Sequence, residues 1–179
     1  MTTTTWTNTA GGNFNTGTNW SAGVPAAGDT ALITAKGTYT VTLGQGESVG
    51  TLEMAKGVTL ATAGHNIAIT SGTAKALAGT ITGPAWLELG TDGTPTSFDN
   101  AGAINSCNLE ISGPVTLAGK GEVTLSSNAV EADNQSATLT NSGNTISGNG
   151  SIGGDGFLSM VNAKGIISAV GSNVTSHRD

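Results

Sequence analysis

The chain has 179 residues, enough for one domain with a continuous core, and its 12 acidic and 6 basic side chains leave a net charge of −6. Only 10% of the residues are charged and the one arginine is Arg178, so no Lys/Arg cluster exists to neutralise phosphates or anionic lipid, which excludes nucleic-acid binding. No run of 18 apolar residues occurs, which excludes insertion into a membrane by a helix, while Ile, Val, Leu and Thr recur throughout, which argues against disorder.

The first 28 residues concentrate three of the seven aromatics, Trp6, Phe14 and Trp20. Pro25 has no N–H to donate and suits a chain entering a sheet edge, and Asp29 follows at the start of the first repeating unit. Residues 1–28 therefore read as a cap over one end of a stacked structure, with Trp6, Phe14, Trp20, Pro25 and Asp29 as its structural residues. The rival is a stacking platform for sugars. The opening MTTTTWTNTAGG lacks the basic and apolar regions of a secretory signal. Removal of a signal, export by a C-terminal signal and no export at all stay open.

From residue 29 to 170, short apolar pairs at x-φ-x-φ spacing follow one another: Val41/Leu43, Leu52/Met54, Val58/Leu60, Ile67/Ile69, Leu87/Leu89, Leu109/Ile111, Val115/Leu117, Val123/Leu125 and Leu158/Met160. Each pair puts two side chains on one face of a strand. Turn signals separate them, such as Lys56-Gly57, Gly119-Lys120-Gly121 and Asn149-Gly150. Helix evidence is confined to Ser71–Ala78, too short to stand alone. Short strands at a loose period of roughly 18–24 residues are the mark of a solenoid. The chain is expected to be all-β, a right-handed parallel β-helix (β-solenoid) of about six or seven coils, some 30 Å tall at ~4.8 Å per strand. Stacked Asn, Ser and Thr are expected to form ladders along it. Residues 171–179 read as a polar tail with no aromatic to cover the last coil, leaving an edge that can accept a second chain.

One stretch carries a family likeness. Trp6-Thr7, Gly12-Asn13-Phe14, Asn19-Trp20-Ser21-Ala22-Gly23-Val24-Pro25 and Gly28-Asp29-Thr30-Ala31-Leu32-Ile33 run in order, followed by Thr38-Tyr39-Thr40-Val41-Thr42-Leu43. This resembles the N-terminal region of bacterial secreted right-handed parallel β-helix proteins, the autotransporter passengers and filamentous haemagglutinin-like adhesins. As a motif the likeness covers residues 1–54. It implies the fold, an extracellular or cell-surface location and a structural or adhesive role. Those proteins are usually much longer and carry a secretion domain, so this chain reads as a fragment, a truncated relative or an independent small protein. The implied partners are a second copy of the chain, associating by its ends or laterally, or a surface glycan or protein.

Parallel β-helices also include polysaccharide lyases and glycosidases, so a carbohydrate-active enzyme is the alternative. A glycosidase needs carboxylates converging on one groove. The acids are scattered singly, but at a coil of about 20 residues Glu88, Glu110 and Glu131 fall on one face. The competing reading is solvated charges that block edge pairing. Asp92/Asp99 and Glu131/Asp133 are the closest acid sets. His65 and His177 are far apart, and neither has a triad partner by spacing. Cys107 stands alone, allows no intrachain disulfide and reads as a packed core residue. No catalytic constellation, cofactor or metal is assigned. A third possibility, a flat ice-binding or similar face, rests on Thr40-Val41-Thr42. In the sequence that motif does not recur at the coil period.

Overall fold

The computed structural model describes residues 1–71, 74–91 and 94–169, with the backbone alone at residues 74–76. Two short strands, β1 (Thr3–Thr5) and β2 (Gly12–Asn13), and a single 3-10 turn at Gly17–Asn19 come first. Six complete coils follow, each of three strands. The first holds β3 (Thr30–Ile33), β4 (Tyr39–Thr42) and β5 (Glu47–Val49), and the second β6 (Thr51–Met54), β7 (Val58–Ala61) and β8 (Ile67–Ile69). The third holds β9 (Ala74–Leu77), β10 (Thr80–Thr82) and β11 (Trp86–Gly90), and the fourth β12 (Thr96–Asn100), β13 (Ala103–Asn105) and β14 (Asn108–Ser112). The fifth holds β15 (Pro114–Ala118), β16 (Glu122–Leu125) and β17 (Ala129–Ala132), and the sixth β18 (Ala137–Ser142), β19 (Thr145–Gly148) and β20 (Ser151–Ile152). A seventh coil begins with β21 (Leu158–Asn162) and β22 (Ile166–Ala169).

Every third strand pairs in parallel, giving three sheets along the rod. The first runs β1-β3-β6-β9-β12-β15-β18-β21, the second β2-β4-β7-β10-β13-β16-β19-β22 and the third β5-β8-β11-β14-β17-β20. The protein is thus a parallel β-solenoid of about six turns. The coil is not a fixed number: Thr40 pairs with Thr59, nineteen residues on, and Thr80 with Ala103, twenty-three on. Corner turns absorb the difference. Within Ser71–Ala78, the one stretch with helical character and too short to stand alone, Ala74–Leu77 form β9, where Met54 and Asn100 on either side offer strand edges to Leu77. Pairing on both edges outweighs an eight-residue helical preference. The expected tail at 171–179, with His177 and Arg178, lies outside the described residues, as does Asp92.

The apolar pairs line the inside. Leu87, Leu109 and Val130 form one stacked column of the third sheet, and Ile69, Leu89, Ile111 and Ala132 the next, all buried. Parallel stacking also carries polar ladders into the interior. Asn100, Asn141 and Asn144 are fully buried. Asn100 Nδ2 donates to Asn144 Oδ1 at 2.9 Å, Asn144 Nδ2 to Leu117 O and Ala118 O at 3.1 and 2.7 Å, and Asn141 Nδ2 to Asn162 Oδ1 at 3.1 Å. These carboxamides close the corner between the first and second sheets, where the backbone turns and its own groups would otherwise lack partners. At the same corner a Cβ on Gly102 would lie 1.9 Å from Gly79 O, so only glycine lets successive turns nest at the strand spacing.

Candidate functional site

Two parts of the surface gather the residues singled out in the sequence: the N-terminal end and the outer face of the third sheet. At the N-terminal end β1 pairs with β3 and β2 with β4, so residues 1–28 lie against the first coil. Trp6, Phe14 and Trp20 are buried in the main core. The Trp6 and Trp20 rings meet edge to face at 5.1 Å, and Phe14 and Trp20 at 4.9 Å. Each indole N–H has a backbone acceptor, Trp6 Nε1 to Asn8 O at 2.6 Å and Trp20 Nε1 to Phe14 O at 2.7 Å. Rings enclosed in this way have no open face to offer a sugar. Pro25 is buried as well. Asp29 fastens the start of the chain: its carboxylate accepts from Thr2 N at 2.6 Å and Ala26 N at 3.1 Å. The hydrogen bond from Thr2, then that from Ala26, with the nearby N-terminal charge, hold its carboxyl below the usual range. Farther in, Asn15 Nδ2 donates to Glu47 Oε1 and Asn15 Oδ1 accepts from Gly44 N at 2.8 Å, tying the end segment to the first coil.

On the third sheet, Glu88, Glu110 and Glu131 are direct partners in register, one on each of β11, β14 and β17. They stack in a single column about 4.8 Å apart along the rod. Their inward neighbours alternate with them and are buried, so the carboxylates stand on the outer face, each half-buried. The scattered spacing in sequence becomes a continuous acidic ladder because the coils between them are 22 and 21 residues long. Burial first, then the charges of Glu88, Asp133 and Glu131, push the Glu110 carboxyl up. Ser112, at the end of β14, joins the group: its Oγ lies 2.9 Å from Asp133 Oδ2 and 3.3 Å from Glu88 Oε1, so one proton serves two carboxylates. Asp133 Oδ1 is enclosed with no donor beside it. Asp155 turns away from the ladder, accepting from Ala132 N at 2.8 Å and Phe157 N at 3.3 Å.

The sequence showed Glu131/Asp133 as a close set but gave no reason to join Ser112 to Glu88. That link depends on the turn from β14 into β15, which places Ser112 between successive coils. Of the Asp92/Asp99 set, Asp99 is exposed on β12, in a different sheet. Among the described residues, no group of three or more His, Cys, Asp or Glu has the arrangement needed to hold a metal ion.

On the second sheet Thr40-Val41-Thr42 does not recur from coil to coil: among the described strands of that sheet it returns only as Thr80-Ile81-Thr82, two coils on. Thr40 pairs with Thr59 and Thr59 with Thr80, while Thr42 pairs with Ala61 and Ala61 with Thr82. The second column continues through Asn105, Thr124, Ser147 and Ser168. The first column continues from Thr80 through Ala103, Glu122, Thr145 and Ile166, so neither column is a continuous hydroxyl ladder.

The remaining candidates stay apart. Cys107 is buried, and burial pushes its thiol up to about 11, which leaves almost no thiolate at neutral pH. His65 is half-buried in the turn before β8. Trp86 is half-buried on the outer face of β11, its backbone N–H donating to Asn66 Oδ1 at 3.1 Å. No helix among the described residues is long and apolar enough to cross a membrane. Compared with protein-family models, with curated proteins and with solved structures, the chain finds no match.

Proposed function

We propose that the chain is a structural and adhesive module of a bacterial secreted or cell-surface protein, a rigid rod that presents its sheet faces to a surface glycan or protein. The observation that carries this reading is the in-register stacking of outward side chains, Glu88, Glu110 and Glu131 on the third sheet and Thr40, Thr59 and Thr80 on the second. Side chains repeated at one spacing along a stiff rod suit a partner that is itself extended and repetitive, since many weak contacts then add. The resemblance of residues 1–54 to adhesin openings supports the same role and location. The test is binding of the purified chain to immobilised polysaccharides and matrix proteins, comparing a Glu88→Gln/Glu110→Gln/Glu131→Gln variant with a Thr40→Lys/Thr59→Lys/Thr80→Lys variant. Loss of binding in one variant assigns the face. Binding to none of the surfaces, or binding that neither variant alters, overturns the reading.

A second reading, a carbohydrate-active solenoid, is favoured by one observation: three carboxylates and Ser112 converge on one face. Release of reducing ends or unsaturated products from a polysaccharide panel, abolished by Glu110→Gln, would establish it. A chain inert on every polymer sinks it.

A further inference from the structure

One asparagine is placed to react with its own backbone. Asn149 stands exposed at the corner between β19 and β20, and it is the only asparagine in the chain followed by glycine. A backbone nitrogen reaches the side-chain amide of the asparagine before it most readily when its N–H is free and it carries no Cβ. The packing at this corner demands the glycine: a Cβ on Gly150 would lie 2.1 Å from Asn128 O. The packing also leaves the nucleophile free. Among the described residues the Gly150 N–H has no acceptor, while its neighbours are both held: Asn149 N donates to Leu125 O at 3.0 Å and Ser151 N to Asn128 O at 3.1 Å. The electrophile is polarised as well. Ser127 N–H donates to Asn149 Oδ1 at 3.1 Å, the oxygen on which negative charge develops when Cγ is attacked.

Other asparagines with a small residue after them lack this arrangement. Asn105, Asn128 and Asn162 are followed by Ser106, Ala129 and Ala163, whose N–H groups donate to Thr124 O at 3.0 Å, Asn108 Oδ1 at 2.8 Å and Asn141 O at 3.0 Å. A nitrogen committed to a coil-to-coil bond attacks only after that bond is broken. We propose that Asn149 is a self-modification site, deamidating in the folded chain through a succinimide formed with Gly150. The Gly150 nitrogen gives its proton to a solvent base and attacks Asn149 Cγ. The new N–C bond forms, the bond from Cγ to Nδ2 breaks, and Nδ2 leaves as ammonia after taking a proton from water. Water then opens the ring. Cleavage between Cγ and the Gly150 nitrogen gives an aspartate on an unchanged backbone. Cleavage between the Asn149 carbonyl carbon and that nitrogen gives an isoaspartate, with the backbone routed through the former side chain. No electrons are transferred, and water is the only co-reactant. Both products add a negative charge. The isoaspartate also lengthens the main chain by a methylene between Gly148 and β20, where Gly148 and Gly150 nest so closely on the fifth coil that a Cβ on either would meet Leu125 O or Asn128 O at 2.0 and 2.1 Å. The conversion is irreversible, so it marks the age of the chain in its sixth coil.

This inference is independent of what the rod binds. The full chain is incubated in mildly alkaline buffer made with isotopically labelled water, once folded and once in concentrated urea. Peptides covering the asparagines are then followed by mass spectrometry. In the folded chain the peptide carrying Asn149 should convert from amide to acid roughly tenfold or more faster than those carrying Asn105, Asn128 or Asn162. Label should enter with the conversion, and both aspartate and isoaspartate should form. The rate at Asn149 should be comparable in the folded and the unfolded chain, because folding leaves the Gly150 nitrogen free, whereas the other three should convert faster in urea. Asn149→Ser should remove the fast conversion from that peptide. An Asn149 that stays intact in the folded chain while it converts in urea overturns the proposal. So does equal conversion at Asn105, Asn128 or Asn162 in the folded chain, or conversion at Asn149 without isoaspartate, which would mean direct hydrolysis of the amide.

Discussion

Glu110 stands between Glu88 and Glu131 in one column, with Asp133 beside it, and its environment opposes ionisation. Its carboxyl is raised in the folded state by burial and then by its acidic neighbours. The folded chain therefore holds this proton more tightly than the unfolded chain. The stability it contributes is complete below the ordinary glutamate range and is lost as pH rises through the raised folded value. Glu110→Gln should stabilise the protein at pH 7 by about 0.5 kcal/mol, a small figure because solvent screens the partly exposed column. The gain should vanish near pH 3. Thermal unfolding at the two pH values checks this; an equal gain at both would mean that packing rather than charge is responsible. Asp29 has the opposite sign: its lowered carboxyl stabilises above the ordinary aspartate range and loses that contribution as pH falls. Asn144 is a second residue-scale case. Its carboxamide serves Leu117 O, Ala118 O and Asn100 in a fully buried site. Asn144→Ala should cost on the order of 3 kcal/mol, because buried carbonyls lose their donor. Chemical denaturation measures it, and a loss indistinguishable from zero would show that water replaces the side chain.

At the scale of the element, each strand is too short to stand by itself and depends on those above and below it. The nine apolar pairs legible in the sequence all fall on or immediately beside strands, because period-2 alternation is a local property that four residues suffice to display. What the sequence hid was the pairing between coils. Nineteen residues separate one pair of partners and twenty-three another, so an averaged period blurs the columns. That is why Glu88, Glu110 and Glu131, at near-even intervals, were visible as a face, whereas the stacking of Thr40, Thr59 and Thr80 on the second sheet was not. Corner glycines set how closely the elements approach. Gly102→Ala should destabilise by about 2 kcal/mol or more, since its Cβ would lie within 1.9 Å of Gly79 O on a backbone that cannot move without shifting a coil. Gly17→Ala, with open space around it, should change stability by no more than about 0.5 kcal/mol. Equal effects at the two sites would remove the steric explanation.

For the whole molecule, stability is distributed along a stack in which each coil buries its inner face only against its neighbours. The N-terminal aromatics then matter beyond their own contacts. Phe14→Ala should cost about 3–5 kcal/mol, as for a large buried ring, and the loss should spread to the adjoining coil. Hydrogen exchange should show faster exchange across β4 and β7 while β15 and β18 stay protected. Exchange raised uniformly over all coils would show instead that the rod unfolds as one unit.

The sequence by itself determined the class of fold, the succession of short strands and the residues facing inward. These follow from alternation and turn chemistry within a few residues of each site. The tertiary structure alone decided which outward side chains share a column, that Ser112 bridges Glu88 and Asp133, and, among the described residues, that the exposed large apolar side chains other than Met1 gather at one end. The physical reason is that coil-to-coil register is set by the summed lengths of irregular corner turns and by which edges find partners, and neither is written in any single stretch of residues.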